Sequence, residues 1–166
     1  MLRLHGGDSM DLGNLFFGFS GRLNRGKYWL AVVVFVVISA IMSALDLALG
    51  PDSISAALLN AIVGIVTFIS GLAVGIKRLH DRDKSGWWLL VFYVVPGILI
   101  TIAVIIAIYG FATESMGNVG TATLLGLASV AIGVWAFVEL GCLRGTVGPN
   151  RFGPDPLVVP AATPAQ

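Results

Sequence analysis

The chain alternates long apolar runs with short polar breaks. Four runs are uncharged or carry one acid: residues 29–49, 56–76, 87–111 and 122–143. A run of 21 residues makes about 31 Å of helix, which matches a hydrocarbon core of roughly 30 Å. Four transmembrane helices follow, and the fold class is all-α. Residues 12–20, LGNLFFGFS, are apolar but too short to span, so they suit a segment lying in the interface. Residues 50–55, GPDSIS, form a tight connection in which a serine or aspartate caps the next helix. Residues 77–88, KRLHDRDKSGWW, hold four bases, two acids and a histidine and read as a loop between the second and third spans. Ser85 is placed to cap the third helix, and Trp87 and Trp88 to anchor it at the interface. Pro96 and Gly97 predict a kink inside that helix. Asn60, Thr67 and Ser70 predict hydrogen bonds between helices, and Gly71 and Gly75 a close helix approach.

Composition agrees with the pattern. The 166 residues are 57% hydrophobic and 11% charged, with a mean hydropathy of +0.92, against the roughly 25% charged of soluble domains. Most of the chain lies in the four runs, so little remains for a soluble domain. A single cysteine, Cys142, forms no intrachain disulfide, and with two histidines it supplies no zinc site of Cys/His type. Residues 1–9 read as a non-native or disordered leader with translation starting at Met10, residues 10–156 as the membrane domain, and 157–166 as a disordered tail. The first run is an anchor and not a cleaved signal peptide.

Charge is distributed unevenly. Arg3, Arg22, Arg25 and Lys27 precede the first span, Lys77, Arg78, Arg82 and Lys84 lie between the second and third, and Arg144 and Arg151 follow the fourth. All ten bases therefore fall on one side, while the two opposite connections carry Asp52 and Glu114. The positive-inside rule then places both termini and the central connection in the cytoplasm.

Three polar pieces share that side: FSGRLNRGKYW, RLHDRDKSGWW and GPNRFGPDP. Together they resemble the bacterial family known as domain of unknown function 805, small four-helix inner-membrane proteins. The resemblance rests on Gly21, Arg22, Arg25, Tyr28 and Trp29, then Arg78, Leu79, His80, Asp81, Ser85, Gly86 and Trp87, and finally Gly148, Asn150, Gly153 and Pro156. It implies a multi-pass protein of the bacterial inner membrane and brings no reaction with it.

The candidate chemistry has two sides at each point. His80, Asp81 and Asp83 could ligate a divalent metal or serve as a base, with further ligands from Asp11 or Glu139. The structural alternative pairs the two aspartates with Arg78, Arg82 or Lys84 and packs His80 against the tail. Arg22, Arg25, Lys27, Lys77, Arg78, Arg82 and Lys84 could form a plate for anionic lipid headgroups, or they could only set topology. Arginine grips phosphate bidentately, which singles out Arg22, Arg25 and Arg78. Glu139 is an ionisable group within an apolar run, hence a relay candidate or, five residues before Arg144 and so near the boundary, one half of an ion pair with a loop arginine. The tail motif should fold beneath the central connection with Arg151 near Asp81 or Asp83.

The sequence contains no GxxxxGK[ST], HExxH or GxSxG motif. Catalytic residues, metal and cofactor are accordingly expected to be absent, and nucleic acid is not an expected partner. The leading expectation is a non-enzymatic integral membrane protein whose collar of Gly21, Arg22, Arg25, Tyr28, Trp29, Arg78, His80, Asp81, Ser85, Gly86, Trp87, Asn150 and Gly153 engages anionic lipid or a protein partner. A small oligomeric transporter or channel subunit is the alternative, and a metal-dependent enzyme at His80 and Asp81 the second alternative.

Overall fold

Two helices start by the same device. The side chain of Asn24 accepts from Lys27 N at 2.9 Å to open α2, Arg25–Leu49, and Ser53 Oγ accepts from Ala56 N at 3.3 Å to open α3, Ile54–Asp81. A short α1, Leu12–Phe17, precedes them, and α4, Leu90–Ala112, and α5, Met116–Cys142, complete the fold. The computed structural model describes residues 12–50 and 53–158. The expected leader and Met10 start, Asp11, Asp52 and residues 159–166 of the expected tail lie outside the described residues.

Four helices, α2 to α5, are long and apolar enough to cross a membrane, and no strand occurs among the described residues. The helices outrun the expected spans. α2 begins at Arg25, and α3 continues through Lys77 to Asp81, so the first five residues of the expected loop are helical. A helix need not stop where the bilayer does, because its emerging last turn can be stabilised by protein partners. Here Lys77, Arg78, Leu79 and Asp81 are all buried.

Both helices of the second hairpin depart from regular winding at the same end. α4 opens with a π-helical turn, Leu90–Val94, and α5 closes with another, Val138–Cys142. The irregularity expected at Pro96 is therefore displaced into the turn before it, where a wider turn accommodates the missing proline N–H. Ser129 on α5 donates to the Pro96 carbonyl at 3.1 Å, tying the pair together. At the far end Gly110 lets α5 approach closely, since a Cβ there would lie 3.1 Å from Val119 N.

Packing concentrates at one end. One cluster joins Leu15, Leu23, Ala31 and Val74, and a second joins Leu79, Leu89, Phe92 and Leu140. Gly75 admits Leu89 into the gap between α3 and the start of α4, whereas the space around Gly71 is open. Towards the other end, α3 from Ile54 to Ile69 is largely exposed, as is most of α2. The helices thus form two hairpins, α2–α3 and α4–α5, that join through their turns near residues 90–94 and 138–142 and separate beyond.

Candidate functional site: a polar collar at the joined end

The joined end is built around Arg78. Its side chain is fully buried, and its guanidinium reaches three elements at once. Nε donates to Leu140 O at 2.6 Å, one terminal nitrogen to Asp81 Oδ2 at 2.6 Å, and the other to Leu143 O. The last carbonyls of a helix lack partners within it and carry partial negative charge, so a cation there is stabilising. Arg78 thereby holds the end of α5 to the end of α3.

Asp81 sits one turn along and binds a second arginine. Arg22 Nε donates to Asp81 Oδ1 at 3.1 Å, and its terminal nitrogens donate to Gly148 O and Thr146 O, each at 2.6 Å. One buried carboxylate therefore joins two buried arginines, which link the segment before α2, the end of α3 and the strap of residues 143–158. Single members of such a set are costly to remove, because the survivors are left charged and unpaired. Gly145 is required beside it, since a Cβ there would lie 2.0 Å from Asp81 Oδ2.

Lys77 closes α1 in the same manner, donating to Leu15 O at 2.8 Å and to Asn14 O. Arg82 Nε and Lys84 Nζ both lie 3.0 Å from Glu139 Oε1. The ion pair expected between Glu139 and a loop arginine is thus made by Arg82, with Lys84 added. The π-helical turn carries the carboxylate towards the α3–α4 connection, and Arg144 offers its carbonyl to Arg82 at 2.6 Å.

The strap folds by turn chemistry. Gly148 and Gly153 have φ of +78° and +141°, which glycine adopts without the strain of a Cβ. Asp155 accepts from Leu157 N and Gly148 N, each at 3.0 Å, and these donors hold its carboxyl below the usual carboxylate range. Asn150 donates to His80 O and Thr146 Oγ1, each at 2.9 Å. The His80 ring stacks on Phe152 with centroids 3.8 Å apart, and Nδ1 lies 3.2 Å from Gly21 O. Arg151 pairs with Asp83 at 3.2 Å. His80 and Asp81 thus face different partners and do not converge on a common point.

The remaining motif positions support this frame. Trp29 Nε1 donates to Gly141 O at 3.0 Å, Tyr28 packs against both apolar clusters, and a Cβ on Gly86 would press on Ile76. Ser85 O accepts from Trp88 N at the entry to α4. Trp87 is 77% exposed, in the manner of an interfacial anchor. Of the expected interhelical polar residues, Asn60 bonds Asp46 on α2, but the Thr67 hydroxyl donates to Val63 O and Gly64 O of its own helix.

Beside the collar lies a cavity of about 380 Å³, whose lining includes Asn24, Arg25, Asp81, Arg144, Thr146 and Asp155. Arg25, Lys27 and Arg144 are exposed and, among the described residues, make no side-chain hydrogen bond or ion pair. They differ in this from the buried Arg22 and Arg78 side chains.

The family model described as protein of unknown function DUF805 matches residues 16–154, which takes in the collar and all four long helices. The chain belongs to this family. DUF805 relatives include the inner membrane protein YhaH of Escherichia coli, 30% identical over 146 residues that cover 87% of this chain and 92% of the relative. The inner membrane protein YhaI of the same organism is 30% identical over 85% of this chain and 87% of its own. The uncharacterized protein YiiR is 26% identical over 88% and 90%. No solved structure matches the chain. Family, fold and relatives agree on a multi-pass protein of the bacterial inner membrane.

Sequence reasoning missed several members of the collar. Lys77 reads as a plate base and not as a clamp on α1, and Gly145, Thr146 and Asp155 carry no site reading of their own. Asp155 had a readable signal, since aspartate between prolines after a glycine favours a side-chain-capped turn. Gly145 had none, because its requirement comes from a carboxylate 64 positions earlier in the chain.

Proposed function

We infer that this DUF805 protein is a non-enzymatic membrane protein whose collar end engages the phosphate of anionic lipid headgroups. What supports this reading is the division among its bases. Arg22, Lys77, Arg78, Arg82 and Lys84 are held by carbonyls and carboxylates of the chain. Arg25, Lys27 and Arg144 are left at the surface, two of them on the wall of the 380 Å³ cavity. The acids that share this cavity are already engaged: Asp81 by two arginines and Asp155 by two backbone N–H groups. The lining itself holds two bases and two acids, and the two arginines bound to Asp81 make its surroundings net positive; a base near an anionic leaflet contributes about 1 kcal/mol.

The basic plate changes composition under this reading. Arg22, Lys77, Arg78, Arg82 and Lys84 leave it, because their donors are used internally, Arg25 and Lys27 stay, and Arg144 enters it. The metal-enzyme alternative loses its support for a similar reason, since the Asp81 carboxylate is bound by arginines and the His80 ring is stacked. The transporter or channel alternative draws on one observation, the separation of the two hairpins away from the collar.

Native mass spectrometry of the full chain in mild detergent tests the reading. With phosphatidylglycerol and phosphatidylcholine supplied equally, phosphatidylglycerol adducts should dominate and should be lost in the Arg25→Gln/Arg144→Gln variant. Equal retention of both lipids, or adducts indifferent to that double substitution, would overturn it. A protein partner would appear as a copurifying mass, and a bare higher oligomer would favour a conduction path.

A further inference from the structure

The separated end of the first hairpin carries an unusual group of polar side chains. A cleft of about 250 Å³ runs along the seam of α2 and α3, lined by Ser39, Ser43 and Asp46 from one helix and Asn60 and Thr67 from the other. Both helices are membrane-spanning candidates, so these groups stand where the surroundings are otherwise apolar. Asp46 lies three residues before the end of α2 at Leu49, while Ser39 lies ten residues before it, about 15 Å from that end by helix rise. The cleft therefore leads from near the end of the hairpin into its middle.

The hydrogen bonds inside the cleft determine its polarity. Asn60 Nδ2 donates to Asp46 Oδ1, which fixes the amide orientation and turns its oxygen away as a free acceptor. The Ser43 hydroxyl donates to Ser39 O at 2.9 Å, and the Thr67 hydroxyl to Val63 O at 2.8 Å and Gly64 O at 3.1 Å. Both hydroxyls have therefore directed their hydrogens into their own helices, leaving oxygen lone pairs for the cleft. The Asp46 carboxylate and the Ser43 and Thr67 hydroxyl oxygens are thus available as acceptors among the residues that line the cleft.

Charge points the same way. Among the described residues every lysine and arginine lies at the collar end, so Asp46 has a carboxamide as its partner and no base within reach. The other described acid away from the collar is Glu114, in the opposite hairpin's turn. An ionised carboxylate within a span is paired or lines a polar pathway, and intramembrane ionisable groups serve by default as functional candidates. One negative charge with several neutral oxygens suits a hard monovalent cation, whereas calcium sites recruit several carboxylates. At about 30 Å³ per water, the cleft also has room for part of the ion's hydration shell.

We propose that the α2–α3 cleft is a binding site for a partly hydrated monovalent cation, with Asp46 supplying the charge and Asn60, Ser43 and Thr67 neutral oxygen ligands. This site is separate from the collar in place, in charge and in ligand. It gives the separated hairpins a role beyond that of two anchors, since an ion can enter at the open end of the seam.

The test uses the purified full chain in detergent with sodium as the probe, N-methyl-D-glucamine replacing it at constant ionic strength. The excess ²³Na line width should saturate with protein and fall several-fold in Asp46→Asn. Ser43→Ala/Thr67→Val removes two oxygens without touching the charge, so it should weaken sodium binding while melting like the natural protein in sodium-free buffer. Arg25→Gln/Arg144→Gln should leave the line width unchanged, which separates this site from the collar. An absent excess, or one undiminished in both Asp46→Asn and Ser43→Ala/Thr67→Val, overturns the proposal. So does a carboxylate found protonated at neutral pH with sodium present, because a neutral Asp46 supplies no charge.

Discussion

Arg78 and Gly145 carry the collar at the scale of single residues, one by reaching and the other by making room. Arg78 and its pairing with Asp81 were legible in the sequence, yet its clamp on α5 and the strap was not, because those carbonyl acceptors lie 62 and 65 residues away. Gly145 is the opposite case, invisible until Asp81 is placed beside it. Gly145→Ala should therefore displace the carboxylate and lower the midpoint of thermal unfolding, with Asp81→Asn in the same background giving little further loss. Additive losses in that pair would mean that the Cβ acts elsewhere, since neighbouring sites that share a contact are non-additive. His80 shows two open readings separating. Beside Asp81 it could be a ligand or pack against the tail, and its ring meets Phe152 of the strap, because successive helical residues point in different directions.

At the scale of elements, the existence and order of the four long helices were legible because an apolar run of that length has few other folds open to it. Their ends were not, because charge marks where the bilayer stops and not where the helix does. Lys77–Asp81 stays helical since its bases meet carbonyls from α1, α5 and the strap and its carboxylate meets Arg22. The π-helical turns at Leu90–Val94 and Val138–Cys142 left no periodic trace either, and only Pro96 hinted at one of them. The strap itself depends on Asp155. Its carboxyl titrates below its ordinary value when folded, so its contribution is complete at neutral pH and is lost as pH falls through that lowered range. Hydrogen exchange in residues 144–158, corrected for its intrinsic pH dependence, should accelerate there in the natural chain. In Asp155→Asn it should already be fast at neutral pH, and a strap equally protected in both would remove Asp155 from this role.

At the scale of the whole molecule, the two hairpins are joined at one end by buried charge and open at the other. The one-sided distribution of bases was plain from the sequence, and the fold gathers every described lysine and arginine at the joined end. The positive-inside rule assigns that end to the cytoplasm. A reporter fused after Gln166 should accordingly be active only in the cytoplasm, and one inserted near Gly117 only on the other side; swapped activities would reverse the orientation. What the sequence did not separate is which bases hold the molecule together and which face outward. That distinction needs three remote segments brought to one place, and no spacing rule supplies it.

The division of labour among the arginines is most directly tested by thermal unfolding in a zwitterionic detergent, with and without phosphatidylglycerol. Arg78→Lys keeps the charge but loses the planar fork, and breaking a buried pair costs about 3–5 kcal/mol. It should lower the midpoint in the absence of lipid. Arg25→Gln/Arg144→Gln should melt like the natural protein without lipid and lose the increment that phosphatidylglycerol adds. A double variant that is unstable without lipid, or an Arg78→Lys protein that keeps its midpoint and loses only the lipid increment, would contradict the account.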